Sequence, residues 1–232
     1  MQPGDIAAAR ALSQAQGWPH TEADWTMHLA LGEGQVATLH DGSIIGTILW
    51  WAWGSDAGTL GLIIVDQQYR GRGIGQRLMS QAMTRLGERK LQLVSTKAGT
   101  ALYRGAGFQP VAQIVQLQGQ LDSLQAPPGD HRLALKPVTG KDLPALRRLD
   151  SAATRMDRSI LLQQLSQSTG GYILMRDQHA VGFALRRRSG KGITVGPVVA
   201  RDQSDAKLLL SQLLAGSTGF HRIDLPREAG AL

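Results

Sequence analysis

Three short blocks of this 232-residue chain recur at a nearly constant offset. Gly4-Asp5-Ile6-Ala7-Ala8 returns as Lys141-Asp142-Leu143-Pro144-Ala145. Asp41-Gly42-Ser43-Ile44-Ile45-Gly46 returns as Asp177-Gln178-His179-Ala180-Val181-Gly182. Leu60-Gly61-Leu62-Ile63-Ile64-Val65 returns as Val195-Gly196-Pro197-Val198-Val199-Ala200. The spacing stays within 135–137 residues for all three. Isolated echoes arise by chance, but a common offset is the mark of one fold used twice. The length suits two small domains, and Gln125-Ala126-Pro127-Pro128-Gly129-Asp130 reads as the hinge between them. The expected division is 1–125 and 126–232.

The two copies differ where chemistry would be expected. In the first, the apolar run ending at Val65 enters the loop Asp66-Gln67-Gln68-Tyr69-Arg70, then Gly71-Arg72-Gly73-Ile74-Gly75. A helical pattern begins at once and runs to about residue 87, followed by a strand at about 91–95. A strand–loop–helix unit of this kind presents free backbone N–H groups at a helix N-terminus, which suits a phosphate or pyrophosphate. The glycines allow close backbone approach and positive φ, and Arg70 and Arg72 add positive charge. In the second copy the corresponding segment is Ala200-Arg201-Asp202-Gln203-Ser204-Asp205, without glycine. Its two aspartates would repel a phosphate, so this half is expected not to bind one; they are expected to cap the following helix.

The glycine spacing narrows the ligand. A dinucleotide fingerprint needs Gly-x-Gly-x-x-Gly, and position 76 is Gln; no P-loop string occurs. What remains, Arg70-x-x-Gly73-x-Gly75, resembles the acetyl-CoA loop of the GNAT family of N-acetyltransferases, (Gln/Arg)-x-x-Gly-x-(Gly/Ala). Leu102-Tyr103-Arg104-Gly105-Ala106-Gly107-Phe108 resembles the Leu-Tyr-x-x-x-Gly-Phe element of the same family, 33 residues after Arg70. One departure stands out. Many members carry Asn seven positions before the Tyr, where this chain has Thr96.

The resemblance covers residues 3–118 and implies an α/β fold. Each of two tandem GNAT-like domains would have a mixed, mostly antiparallel central sheet flanked by helices. The region from about Gly182 to Pro226 is similar to the degenerate second half of bacterial two-domain members. It stops six residues after Pro226, where the first half still has a helix and a strand to come. The first half in turn begins without the usual opening strand. Whether outer strands are trimmed, missing or supplied by another chain is left open.

The activity implied is transfer of an acetyl group from acetyl-CoA to a primary amine of a small molecule or peptide, by direct attack in a ternary complex. The cofactor surface implied is Ile63, Ile64, Val65, Arg70, Gly71, Arg72, Gly73, Ile74, Gly75, Gln76, Thr96 and Tyr103. Such a site must orient the amine, stabilise an oxyanion with a backbone N–H near Val65, and manage two protons. Tyr103 is the candidate acid for the CoA thiolate; packing against pantetheine is its plainer role. The base is open. Glu22 and Asp24 are candidates, with His20, His28 and Asp56 behind them, although Thr21-x-x-Asp24 also reads as a helix cap. A water wire could replace them all. Trp51 and Trp53 should share one face of a strand and Trp50 the other, as core or as an aromatic wall for the acceptor. Arg186-Arg187-Arg188 reads as a solvated strand end, or as a holder for an acidic group.

Composition limits the alternatives. The chain has no cysteine, which excludes disulfides, thiolate zinc sites and a cysteine acyl-enzyme. Its six histidines show no metal spacing, so no metal is expected. The longest apolar run, about 44–53, is far below the roughly 20 residues needed to cross a bilayer, and no signal peptide is evident. A cytoplasmic monomer or homodimer is expected. Residues 1–125 hold nine basic and nine acidic residues, so the net charge of +7 falls on residues 126–232. A nucleic-acid binder is disfavoured, since the basic residues are dispersed and only Tyr172, Phe183 and Phe220 could stack. The alternative from another class is a non-catalytic acyl-CoA-binding sensor, favoured by Thr96 and by the lack of an acid between Thr59 and Val65.

Overall fold

The computed structural model describes residues 1–124, 133–168 and 170–227. The hinge at 125–130 lies outside the described residues. The chain divides into two compact units, Met1–Val111 and Ala112–Leu232. The division falls before the sequence hinge because the strand Ile114–Leu121 is hydrogen-bonded into the second sheet.

The first unit opens with a 3-10 turn and two helices, α1 (Ile6–Ala15) and α2 (Glu22–Leu31). Three antiparallel strands follow, β1 (Glu33–Thr38), β2 (Ile44–Trp53) and β3 (Ala57–Val65). Helix α3 (Ile74–Leu86) leads to β4 (Lys90–Leu93), parallel to β3, and then to the short helix α4 (Thr100–Gly105). The sheet order is β1-β2-β3-β4. Alternation along β2 splits its apolar residues between two cores. Leu49 packs with Ile6, Ala9, Leu12 and Trp25 of α1 and α2, with Trp51 on the same side. Ile48 and Trp50 pack with Leu78, Ala82 and Leu86 of α3. The apolar positions of α3 recur at the 3.6-residue period, so one stripe faces the sheet and the opposite side carries Arg77 and Arg85.

The second unit has six strands in the order β5-β10-β9-β8-β7-β6. They are β5 (Ile114–Leu121), β6 (Leu133–Pro137), β7 (Gly171–Arg176), β8 (His179–Ser189), β9 (Gly192–Val199) and β10 (Gly219–Pro226). Helices α5 (Leu143–Thr154) and α6 (Ser159–Ser168) precede β7, and α7 (Gln203–Leu214) joins β9 to β10. β7, β8, β9, α7 and β10 thus follow the order of β1, β2, β3, α3 and β4. The likeness extends to a fault in the ladder. The β2–β3 register shifts between Thr47 and Leu49, and the β8–β9 register shifts between Ala184 and Arg186.

Candidate functional site

β3 and β4 pair only over Ala57–Leu60 and Lys90–Leu93. Among the described residues no strand lies on that side of β3 along Gly61–Val65, so the two parallel strands open into a notch. At this point β3 also carries an extra residue relative to β2. Leu62 adopts φ 51°, rare for a side-chain-bearing residue. Gly61 and Leu62 consequently both serve the α1/α2 side. Trp51 crosses Gly61 so closely that a Cβ there would lie 3.1 Å from its ring. Thr47 Oγ1 donates to Leu62 O at 2.8 Å and pins the bulge. The bulge interrupts the β2–β3 ladder at the level where β3 and β4 part. Neither Thr47 nor Leu62 was singled out from sequence. A glycine inside an apolar strand, Gly61, was the available signal.

β3 continues into the glycine loop. Gly71 and Gly73 both take φ 75°, and Gly73 is the left-handed N-cap of α3. Among the described residues no side chain caps this helix, and its first internal bond runs from Arg77 N to Gly73 O. The N–H groups of Ile74, Gly75 and Gln76 precede that bond and point out of the helix start. A Cβ on Gly71 would meet nothing within 4 Å, so that glycine is required by its backbone conformation and not by crowding. Gly75 is different, with ordinary φ and a Cβ position 3.4 Å from Leu102 of α4 and 3.7 Å from Val65.

The two loop arginines are engaged with the protein. Arg70 Nε donates to Val65 O at 3.1 Å and its Nη2 donates to Gln16 Oε1, bracing the end of β3. Arg72 lies over the Tyr69 ring, 5.2 Å from its centre. Thr96 accepts from Gly99 N at 3.3 Å and caps the turn before α4. Tyr103 lies across Gly99, where a Cβ would come within 2.6 Å of its ring. Burial pushes its phenol above the ordinary value. Among the described residues the hydroxyl has no hydrogen-bond partner.

The candidate bases have other work. Thr21 caps α2, with Asp24 accepting from Thr21 N and Oγ1 at 2.8 Å each and Asp24 N returning the bond at 3.1 Å. Asp24 is 1% exposed and forms the acidic half of this capping box. The Glu22 side chain stands in solvent, 3.9 Å from Arg10. Asp56 sits at the β2–β3 turn, the whole length of β3 away from the glycine loop. His20 lies edge-on to Trp18 and Trp25. His28 lies edge-on to Trp51, whose indole N–H donates to His28 O at 2.9 Å. Trp50 and Trp53 are buried.

The corresponding helix start in the second unit is closed by its own side chains. Asp202 caps α7, accepting from Asp205 N at 2.9 Å. Asp205 is not a second cap, as the sequence suggested, but a carboxylate 2% exposed. It takes Arg201 Nε at 3.0 Å and Arg176 Nη2 at 3.3 Å. Its charge and volume occupy the positive end of the helix. Arg186 is no solvated strand end either. Its Nη1 donates to Leu213 O and Ser217 Oγ at 2.8 Å each, fastening the end of α7.

Profiles described as "Acetyltransferase (GNAT) domain" match residues 32–110 and residues 146–232. The chain belongs to the GNAT family of acetyltransferases. The notch, bulge and glycine loop lie in the first of its two GNAT domains. The chain is 29% identical over 221 residues to an uncharacterized N-acetyltransferase, YitH, of Bacillus subtilis (strain 168), across 93% of this chain and 77% of that protein. In fold it resembles a GCN5-related N-acetyltransferase from Sphaerobacter thermophilus, with TM-score 0.71, 16% identity, and coverage of 99% of this chain and 90% of that one. A crystal structure from Pyrococcus horikoshii is similar at TM-score 0.73 and 22% identity, over 97% of this chain and 78% of that one. Among the described residues no helix of this GNAT protein is long and apolar enough to cross a membrane.

Proposed function

We propose that the first GNAT domain transfers an acetyl group from acetyl-CoA to a primary amine of a small molecule or peptide. The observation that carries the reading is the parting of β3 and β4 next to an uncapped, glycine-started α3. In this reading the N–H groups of Ile74, Gly75 and Gln76 receive the pyrophosphate, and Arg70 and Arg72 shape the loop from behind. The exposed edge of Ile63–Val65 aligns the thioester arm. The amine nitrogen attacks the thioester carbonyl, and its proton leaves to water or a base. A backbone N–H at the Gly61–Leu62 bulge stabilises the oxyanion. The C–S bond breaks, and Tyr103 protonates the leaving thiolate. The phenol regains its proton from solvent.

Asp24 and Glu22 are left out of this assignment, since one is spent on a capping box and the other faces solvent. Water carries the amine's proton. The test is calorimetric titration of acetyl-CoA alongside thiol release with a panel of primary amines. Saturable binding with amine-dependent thiol release supports the reading. Binding without thiol release from any amine supports an acyl-CoA sensor instead.

A further inference from the structure

Among the described residues four strands form the outer edges of the two sheets: β1, β4, β5 and β6. An open edge displays unpaired N–H and C=O groups, and proteins protect such edges with charge, proline, bulges or shortness. β1 carries Glu33 and a register break between Ala37 and Thr38. β4 has four residues and begins with Lys90. β6 has five and ends Lys136-Pro137. β5 has none of these guards. It is eight residues long, pairs with β10 over its whole length without a register break, and has no charge or proline from Ala112 to Leu121. Ile114 and Leu117 stand 45% and 43% exposed.

We propose that β5 is a homodimer interface, pairing antiparallel with β5 of a second copy across a two-fold axis at Gln118. In that register residues whose numbers sum to 236 face each other, so both members of a pair project from the same side of the joined sheet. Leu117 meets the partner's Gly119, and Val115 meets the partner's Leu121. A Cβ on Gly119 would touch nothing within 4 Å, so an open notch lies where the partner's Leu117 arrives. Glycine inside a strand commonly marks such close approach. The nearest charge, Asp122, falls opposite Ile114 and not opposite its own copy, so no like charges oppose. A self-complementary, uncharged edge fits the isologous contact of a two-fold dimer better than it fits a charged foreign strand.

Light scattering on the full chain, at concentrations up to tens of micromolar, tests this. The expected result is a dimer for the natural sequence. Gly119→Lys places an ammonium against the partner's Leu117 and is expected to raise the dimer dissociation constant by at least about tenfold. That residue lies in open space with an ordinary φ, so the fold is undisturbed, which circular dichroism verifies. Adding Leu117→Glu to Gly119→Lys sets opposite charges across the axis and is expected to restore the dimer. A monomeric natural chain, a Gly119→Lys variant that stays dimeric, or a double variant that stays monomeric would each overturn the proposal.

Discussion

The two helix starts, α3 and α7, differ in whether the chain closes them with its own side chains. Both follow the last strand of an antiparallel trio, and both sit beside a strand carrying the same register fault. At α3 the chain spends two left-handed glycines to leave three backbone N–H groups uncapped. At α7 the chain spends Asp202 on the cap and buries Asp205 with two arginines. The positive end of each helix needs a negative partner. The second domain carries its own; in the proposed reading the first receives one from acetyl-CoA.

Gly73→Val is expected to disturb this contrast most. A β-branched residue at φ 75° costs about 1–2 kcal/mol in backbone strain and turns the N–H groups away. Losing two charge-assisted hydrogen bonds lowers acetyl-CoA affinity roughly 100-fold, read by calorimetry. Unchanged affinity would show that the loop is only a turn. Asp205→Ala is next. It strands two arginines, each more than a third exposed, so the cost is about 2 kcal/mol and not the full value of a buried pair. Thermal unfolding reads this loss, and acetyl-CoA binding stays as it was.

Tyr103→Phe separates acid from packing. The expected loss is about tenfold in kcat with KM for acetyl-CoA unchanged, because the ring stays over Gly99. The raised phenol pKa means that the acid form persists throughout neutral pH, and any alkaline fall caused by Tyr103 lies above the ordinary 10.0. An unchanged kcat in Tyr103→Phe would remove the assignment. Asp24→Ala has the smallest effect, about 1 kcal/mol of stability from the lost cap, with kcat of the folded protein unaltered. A collapse of kcat at constant stability would return Asp24 to the chemistry.

Much of this was legible in the residues. The common offset marked two copies, and Gly71 and Gly73 marked a backbone that must turn left-handed before a helix. The Tyr103 element fell where its short helix forms. What could not be read was tertiary. β5 reads as the tail of the first half, yet its partner β10 lies about a hundred residues later in the chain, and no local pattern announces such pairing. Arg70 and Arg72 read as positive charge at the loop, and their contacts with Val65 and Tyr69 are ones that no local pattern announces. The bulge at Leu62 hides in an unbroken apolar run. Asp205 reads as a cap until Arg176, from a different strand, is placed beside it.

In the proposed reading one of the two copies of the fold retains the cofactor site. The most direct test is the stoichiometry of acetyl-CoA binding by calorimetry, for the natural chain and for Gly73→Val. One site per chain that disappears in the variant is the predicted result. Two sites per chain, or one site that survives the variant, would contradict it.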